Sequence, residues 1–303
     1  PVWMFLSSYE KLRKNLIANN TFINMVHPGR GIFGSDFGTT TFVIGKGHIS
    51  GYQGTYHRLF EKQVEVETIE LREQRFFEGR GKFISQQENF SKIPGSPVAY
   101  WASQLIFEAF GKGIALEDIA HPRKGLATTD NNRFLRFWYE ISSTLFGIGC
   151  KTKEQAQSSG KKWFPLNKGG EFRRWYGNKF YVVNWYNDGQ EMKEAVIKRY
   201  NGGSYSKEIR SEDRYFQNSI TWSALTSGMS SFRYSDYGAL FDSAGSSMFP
   251  EENSFYLLAL LNTKVTESIL KIINPTLNYG AGSIAIIPVL LMANLKSEIE
   301  SIV

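Results

Sequence analysis

The segment WMFLSSYEKLRKNL, residues 3–16, precedes two β-prone runs, TFINMV at 21–26 and TTTFVI at 39–44, and this succession decides the fold. Apolar residues recur at helical spacing up to Ile17, and one of the two adjacent serines in the first segment can cap a helix. The two later runs are rich in β-branched and aromatic residues, which predicts strands. A glycine-rich turn separates them. The order helix, strand, loop, strand predicts one edge of an α/β sheet.

The overall composition is that of a folded protein. The chain has 303 residues, of which 42% are hydrophobic and 21% charged, so it can bury one large core or two smaller ones. Its single cysteine, Cys150, permits no internal disulfide, which favours a reducing compartment. The longest apolar run, residues 284–291, is too short to span a bilayer. We therefore expect a soluble, cytoplasmic protein with no membrane partner.

Positive charge is concentrated in one window, residues 151–180. Eight basic and two acidic residues lie there, so the window carries the whole formal net charge of +6. Basic side chains neutralise phosphates, and aromatic rings can stack on bases or wedge into a groove. The aromatic residues interleaved with the charges are Trp163, Phe164, Phe172, Trp175, Tyr176 and Phe180.

This window predicts a DNA interface that follows the phosphate backbone. The alternative is that the rings belong to the core and the charges are merely solvated. A glycine pair at positions 169 and 170 would let the backbone approach a phosphate closely. The predicted DNA-contacting residues are Lys161, Lys162, Lys168, Arg173, Arg174, Trp175 and Tyr176.

A second polar segment, KGLATTDNNR at residues 124–133, combines short hydroxyl and amide side chains with two basic residues. Asn and Arg can contact base edges through two hydrogen bonds, and Thr can contact phosphate. Turn formation alone is the alternative explanation, because Asp and Asn are common in turns. The predicted DNA-contacting residues in and just after this segment are Lys124, Thr128, Asn131, Asn132, Arg133 and Arg136.

The run GRGIFG at residues 29–34 has the spacing of a dinucleotide-binding loop. That fingerprint binds pyrophosphate only where the loop opens a helix. Here the sequence continues into a predicted strand at residue 39, so we reject a nucleotide site. The histidines are scattered at positions 27, 48, 57 and 121 without partners at metal-ligand spacing, so we expect no metal site.

Further elements follow from start and stop signals. Ser96 and Pro97 predict a helix that starts there and continues to about residue 110. Asn253 or Ser254 predicts the start of a helix through Ile273. The predicted strands are 133–141, 179–185, 219–225 and 232–234.

Several motifs, taken in order, carry a family resemblance. They are WMFLSSYEKLR (3–13), IPGSP (93–97), KGLAT (124–128), DNNRFLR (130–136), NKGGEFR (167–173), LLNTKV (260–265), and NPTLN (274–278) followed by IP (287–288). This set resembles the C-terminal part of BREX-type, PglX-like adenine-specific DNA methyltransferases and related restriction-modification enzymes. The resemblance spans essentially the whole chain.

The resemblance implies a fold, a domain organisation and partners. Residues 1–60 would be the α/β tail of a Rossmann-like methyltransferase sheet, 61–90 a charged connector, and 91–303 a mixed α+β target recognition domain. In the loop between the two strands, Phe33 would stack on the flipped adenine, with Phe37 as a competing candidate; the alternative is that the Phe33 ring packs into the core. The intact enzyme would use S-adenosylmethionine and act on double-stranded DNA, and other subunits of the defence system would be further partners.

The sequence also departs from the family. The Asn/Asp-Pro-Pro-Tyr loop that holds the target amino group is absent, and so is the glycine-rich loop that binds S-adenosylmethionine. We therefore expect no catalytic residue and no bound methyl donor in this chain, which begins at Pro1 and is interpreted as a fragment. Two alternatives remain: a non-catalytic DNA specificity module resembling restriction specificity subunits, and an aromatic-rich carbohydrate- or protein-binding module.

Overall fold

The protein was analysed as a computed structural model, which describes residues 1–34, 37–61, 65–226, 228–274, 278–292 and 294–303, without the side chain of Phe33. It is a mixed α/β structure with several small sheets. The chain divides into two compact units. The first unit is Pro1–Gly113 with Lys271–Pro275, and the second unit is Ile114–Leu270 with Thr276–Val303.

Both units contain helices and strands. Within the described ranges the helices are α1 Glu10–Asn19, α2 Ile69–Phe77, α3 Gln104–Lys112, α4 Leu116–Ala120, α5 Asn131–Phe134, α6 Lys153–Ser158, α7 Tyr186–Arg199, α8 Ser254–Leu261, α9 Lys264–Ile273, α10 Ala281–Ala285 and α11 Lys296–Ile302. The strands in the same ranges are β1 Asn20–Gly29, β2 Thr39–Lys46, β3 Gln53–Arg58, β4 Lys82–Gln86, β5 Ile114–Ala115, β6 Leu135–Phe137, β7 Trp163–Asn167, β8 Tyr181–Asn184, β9 Ser219–Trp222, β10 Phe232–Ser235, β11 Leu240–Phe241, β12 Ser247–Met248 and β13 Pro288–Val289.

The first unit contains a four-stranded sheet in the order β2-β1-β3-β4. Strand β1 pairs antiparallel with β2 and parallel with β3. The predicted succession of α1, β1 and β2 is therefore confirmed, with β1 longer than the run 21–26 and β2 extending to Lys46. The core of this unit is aromatic, and its fully buried members include Phe22, Tyr56, Phe90, Tyr100 and Phe107.

The side chain of Arg13 links the N-terminal segment of the first unit to residues 95–96 through hydrogen bonds. Its side chain is 1% exposed, and its Nη1 donates to the carbonyl oxygens of Trp3 and Leu6 at 2.8 Å. Its Nε donates to the carbonyl oxygens of Gly95 and Ser96 at 3.0 and 3.1 Å, and Nη2 donates to that of Gly95 at 2.6 Å. One guanidinium therefore satisfies four backbone carbonyls from two distant segments.

Two parts of the first unit differ from the sequence-based expectation. Within residues 61–90, expected to be a connector, β4 pairs antiparallel with β3, and the boundary between the compact units falls after Gly113. The predicted helix start at Pro97 is wrong, because α3 begins only at Gln104. Ser96 has a left-handed φ of 49°, and the Val98 amide donates to the Met4 carbonyl at 3.1 Å, so this stretch is held in a non-helical path.

The second unit holds three small sheets, in the orders β11-β7-β8-β6, β10-β9-β12 and β13-β5. The predicted strands at 179–185, 219–225 and 232–234 are present as β8, β9 and β10 with shifted ends. Of the predicted strand 133–141, only β6 pairs in a sheet. Helix α5 precedes it, capped by the Asp130 carboxylate, which accepts from the Arg133 amide at 3.0 Å, and a 3-10 turn at Trp138–Glu140 follows it.

The C-terminal helix predicted through Ile273 is interrupted. Helix α8 ends at Leu261, and α9 starts at Lys264. The side chain of Asn262 explains the break, because it accepts from the Phe232 amide and donates to the Phe232 carbonyl, both at 3.0 Å. An asparagine thus completes the edge of β10 at the point where the helix stops.

Candidate nucleic-acid interface

The basic window separates into a buried strand and an exposed loop. Trp163 and Phe164 lie in β7 and are buried, so the core explanation holds for these two rings. The following loop, residues 168–180, is called the basic loop here and connects β7 to β8. Its four aromatic side chains are 42–61% exposed: Phe172, Trp175, Tyr176 and Phe180. For these four rings the core explanation fails.

Basic side chains of the basic loop lie against aromatic rings of the same loop. The Arg174 guanidinium lies 5.3 Å from the centre of the Phe172 ring, and the Lys179 ammonium lies 4.3 Å from that of Tyr176. Arg173 lies 5.4 Å from the centre of the Phe180 ring. Such cation–π contacts hold positive charge beside an exposed aromatic face. The loop therefore presents both of the groups that backbone contact and base stacking require.

The basic loop has a defined path because its backbone pairs with β10. The Trp175 amide donates to the Phe232 carbonyl at 3.0 Å, and the Tyr234 amide donates to the Trp175 carbonyl at 2.8 Å. The glycine pair at the start of the loop accommodates the protein's own chain. A Cβ at Gly169 would lie 2.7 Å from the Ala244 carbonyl oxygen. This close packing offers an explanation for Gly169 that needs no phosphate.

The polar segment 124–133 also forms local contacts. Thr128 Oγ1 donates to Asn131 Oδ1, and the Asp130 cap fixes the same turn. Arg133 Nε donates to Glu191 Oε1 at 2.8 Å on the surface. Turn formation thus accounts for Thr128 and Asp130, while the side chains of Asn131 and Asn132 remain exposed.

A pocket of about 420 Å³ joins the two predicted segments. It combines amide groups, cations and rings from α5, β6, the basic loop and β8. We call it the amide pocket, and it is lined by Asn131, Asn132, Leu135, Arg136, Phe137, Glu140, Lys168 and Tyr181. Four of the predicted DNA-contacting residues, from two separate stretches of sequence, therefore meet in one place: Asn131, Asn132, Arg136 and Lys168.

Sequence reasoning missed the aromatic part of the amide pocket. Phe137 stacks on Tyr181, with ring centres 5.0 Å apart, and on Tyr139 at 5.3 Å. Strand pairing places Phe137 directly opposite Tyr181. The sequence signal available for Phe137 was the spacing of two residues between the apolar side chains of Leu135 and Phe137, which is typical of a strand. That spacing does not show which strand pairs with β6.

The predicted cations differ in how far they are already paired. Lys168 Nζ lies 2.9 Å from Oδ2 of the buried Asp242, and Lys161 Nζ donates to the Thr144 carbonyl at 2.7 Å. Lys162 and Arg136 both lie over the buried Trp163 ring, at 5.7 and 5.5 Å from its centre. In the part of the chain that the structure describes, no carboxylate pairs with Lys124, Arg173 or Arg174. The positive charge of these three side chains is therefore not neutralised by a carboxylate among the described residues.

The glycine-rich loop 29–34 does not form a cofactor-binding turn. Strand β1 leads into it and a short 3-10 turn, Ile32–Gly34, follows, and the chain then enters β2 rather than a helix. A Cβ at Gly31 would lie 2.6 Å from Val66 Cγ1, so this glycine serves internal packing. The loop therefore does not fit S-adenosylmethionine. The Phe33 side chain lies outside the described residues, and the Phe37 side chain is 79% exposed.

No group of three or more His, Cys, Asp or Glu side chains among the described residues could hold a metal ion. No helix in those ranges is both long and apolar enough to cross a membrane.

Comparison with known proteins identifies relatives of the whole chain. No family model matches it. It is 37% identical over 303 residues to the adenine-specific methyltransferase PglX of Lacticaseibacillus casei (strain Zhang), covering 94% of this chain and 24% of that protein. The chain is a relative of PglX. It is also 37% identical over 298 residues to the adenine-specific methyltransferase BrxX of Escherichia coli O9:H4 (strain HS), covering 95% of this chain and 23% of that protein.

The predicted resemblance to PglX-like methyltransferases is thus confirmed. This relative of PglX and BrxX spans about a quarter of the length of the curated proteins that it matches. Among solved structures, the type IIL restriction-modification enzyme MmeI in complex with DNA aligns with a TM-score of 0.54 at 10% identity. The alignment covers 99% of this chain and 39% of MmeI, and at this identity it shows a likeness of fold alone.

Proposed function

We propose that this chain is the DNA-recognition portion of a site-specific adenine (N6) DNA methyltransferase of a phage-defence or restriction-modification system. The amide pocket supports the proposal most strongly, because it brings Asn131 and Asn132 beside Lys168 and Arg136. Amides and cations at one concave site are the groups that read base edges and neutralise phosphate. The 37% identity to PglX and BrxX supports the same function.

In this proposal the two parts of the site have different tasks. The basic loop contacts the phosphate backbone through Arg173 and Arg174, which fixes position without reading sequence. Asn131 and Asn132 contact base edges from the amide pocket. The stacked rings of Phe137 and Tyr181 provide a flat apolar wall for a base. Affinity and sequence preference would then depend on separate residues.

We propose the finer domain organisation on the same grounds. Residues 1–60 would belong to the methyltransferase sheet, the segment 61–90 would add β4 to that sheet, and the target recognition domain would lie within 91–303. S-adenosylmethionine would bind to the part of the intact enzyme outside this chain, and no catalytic residue is assigned here. Phe33 would stack on the extruded adenine. The protein would work in the cytoplasm on double-stranded DNA, beside other subunits of the defence system.

Duplex binding tests the proposal. Fluorescence anisotropy of a labelled duplex with the 303-residue chain, between about 50 and 200 mM NaCl, should give a dissociation constant that rises steeply with salt, because bound cations release counterions. An uncharged polysaccharide serves as the control ligand. Binding to the polysaccharide with no binding to the duplex would overturn the proposal in favour of a carbohydrate-binding module.

A second measurement separates a methyltransferase portion from a non-catalytic specificity module. The missing part of the enzyme is supplied as a separate chain, and methyl transfer to adenine is measured with and without the 303-residue chain. Restored methylation at a single motif is expected. If the catalytic part methylates the same motif at the same rate without this chain, the recognition function is contradicted.

A further inference from the structure

A buried cation lies beneath the basic loop. Arg233 is on β10 and is 1% exposed. In the described part of the chain no carboxylate forms an ion pair with it, and its Nε has no hydrogen-bond partner. The remaining donors make long contacts: Nη1 to the carbonyl oxygen of Arg173 at 3.3 Å and to Ser231 Oγ at 3.2 Å, and Nη2 to Ser223 Oγ at 3.3 Å.

Such an arrangement is costly for the free protein. A buried charge is normally paired or fully hydrogen-bonded, because transfer of an ion out of water is unfavourable. Burial lowers the pKa of Arg233 to about 10, which reflects the same cost. The hydroxyl and carbonyl partners carry no formal negative charge, so the positive field of this guanidinium is not cancelled by its contacts.

The position of Arg233 points this field toward the basic loop. Its Nη1 contacts the Arg173 carbonyl, and Ser223 Oγ, which accepts from Nη2, donates to the Gly170 carbonyl at 2.9 Å. The next residues of the loop carry exposed side chains, including Trp175 and Tyr176. Only one layer of backbone therefore separates the buried guanidinium from the exposed surface.

We propose that the counter-ion of Arg233 is a backbone phosphate of bound DNA, seated on the basic loop over residues 170–175. The inference rests on the proposed function, because it requires that this loop contacts DNA. A fixed charge in a low-dielectric environment is screened less than a surface charge. The side chains of Arg173 and Arg174 would contact the phosphate at the loop surface. The buried guanidinium of Arg233 would attract it electrostatically through the loop backbone.

An internal counter-ion provides the sharpest test. Ser231 is buried, and its hydroxyl contacts Arg233 Nη1. Ser231→Asp places a carboxylate there, and Ser231→Asn is the matched control of almost equal volume without charge. Relative to Ser231→Asn, Ser231→Asp should raise the melting temperature and reduce the slope of log affinity against log salt by about 0.9, the value for one phosphate contact.

Substitution of Arg233 itself is the second test, and it covers the case in which Ser231→Asp fails to fold. Arg233→Lys keeps the charge but removes the forked geometry, whereas Arg233→Gln keeps a polar amide and removes the charge. We expect Arg233→Lys to keep the wild-type salt slope and Arg233→Gln to reduce it by about 0.9. Arg13→Gln removes an equally buried guanidinium from the first unit and should leave the slope unchanged.

The outcomes separate the inference from the function on which it rests. If the wild-type chain binds no duplex, the proposed function fails. If it binds duplex and the slope falls equally in Arg233→Lys and Arg233→Gln, Arg233 only anchors the loop and the inference is overturned. An unchanged slope in Arg233→Gln, or equal slopes in Ser231→Asp and Ser231→Asn, overturns it as well.

Discussion

Two buried arginines of this chain, Arg13 and Arg233, differ in how far the surrounding fold satisfies their hydrogen-bond donors. Arg13 and Arg233 are both 1% exposed. Arg13 donates hydrogen bonds of 2.6–3.1 Å to four backbone carbonyls of its own unit. Arg233 donates only longer hydrogen bonds, of 3.2–3.4 Å, and leaves Nε without a partner. The first is satisfied within the fold, and the second is not.

Under the proposal above, this difference distinguishes Arg13, which stabilises the fold, from Arg233, whose counter-ion would come from bound DNA. Around Arg13 the hydrogen-bonding capacity of the guanidinium is used by residues 3–6 and 95–96. The loop that contacts Arg233 carries exposed rings, and none of the carboxylates in the described ranges forms an ion pair with Arg173 or Arg174. We infer that the first unit uses a buried charge to hold its fold, whereas the second unit uses one to hold a polyanion.

The largest effect on stability should come from Arg13→Gln. It removes donors from the carbonyls of Trp3, Leu6, Gly95 and Ser96, and each buried acceptor left unsatisfied costs about 1–3 kcal/mol. We expect the free energy of unfolding, measured by urea denaturation, to fall by roughly 4 kcal/mol, the lower end for four acceptors. Duplex affinity of the folded fraction should stay constant. A variant of wild-type stability would contradict the structural role of Arg13.

The amide pocket should control sequence choice. In the complete enzyme, Asn131→Ala and Asn132→Ala should each relax the methylated motif, because removing a base contact made through two hydrogen bonds costs roughly 1–3 kcal/mol of discrimination. Methylation-sensitive sequencing measures the motif. Asp130→Ala is the control, since removal of a helix cap lowers stability by about 1 kcal/mol and should leave the motif unchanged. An unchanged motif in both asparagine variants would favour the turn explanation.

Phe33 tests whether DNA contacts are confined to the second unit, because its proposed role would place a DNA-contacting residue in the first unit. In the full-length enzyme, Phe33→Ala should remove a stacking interaction of roughly 1–3 kcal/mol. Base extrusion and turnover should fall while duplex affinity changes little. The readouts are 2-aminopurine fluorescence at the target position and the methylation rate. Phe33→Trp should retain more activity than Phe33→Ala.

Phe37 provides the matched comparison for that experiment. If Phe37→Ala abolishes extrusion and turnover while Phe33→Ala leaves both intact, the assignment to Phe33 is wrong. Unfolding of Phe33→Ala, measured by circular dichroism, would also assign that side chain to packing rather than to the base.

Arg173 and Arg174 should affect affinity without affecting sequence choice. Each change to Ala should weaken binding several-fold and reduce the log–log salt slope by about 0.9 for each phosphate that is no longer neutralised. Anisotropy titrations with duplexes of unrelated sequence measure both quantities. Weakening confined to one preferred duplex would mean that these residues read bases.

The smallest effect is expected at Arg133. Its ion pair with Glu191 is about half exposed, and such pairs contribute about 0.2–1 kcal/mol to stability. A double-mutant cycle of Arg133→Ala and Glu191→Ala measures this coupling. If Arg133 also contacts DNA, Glu191→Ala should tighten duplex binding by freeing the guanidinium. Unchanged binding in Glu191→Ala and Arg133→Ala would restrict Arg133 to its structural pair.

Local patterns predicted part of this structure. The succession α1, β1, β2 follows from helical spacing and β-branched runs, which depend on neighbours in sequence. The concentration of charge and rings between 151 and 180 predicted a DNA interface, and only the structure separates the buried rings of Trp163 and Phe164 from the exposed ones. Both rings lie in β7, where the residues at both ends of the strand are buried. The sequence of β7 does not alternate between apolar and polar residues, so it gave no signal that these two rings are buried.

Long-range pairing accounts for what the sequence could not show. The amide pocket exists because β6 pairs with β8, which brings Phe137 to Tyr181 and α5 to the basic loop. The burial of Arg233 depends on its covering loop, and an arginine in a four-residue strand is expected to be exposed. The interrupted helix at Asn262 likewise depends on a contact with Phe232 that is distant in sequence.

Helix α9 has a consequence for how such proteins can exchange their specificity. Residues 264–270 belong to the second unit, whereas 271–275 belong to the first, where Ile272 is part of the hydrophobic core. The two units are therefore interleaved along the sequence, because the second unit resumes at residues 276–303. A recombination event with a single crossover near residue 113 would replace Ile272 along with the recognition surface, and so would import a foreign core residue. Exchange of the whole second unit, with Ile272 retained, would require crossovers near residues 113, 270 and 275, so the proposed DNA preference could not be transferred in one step.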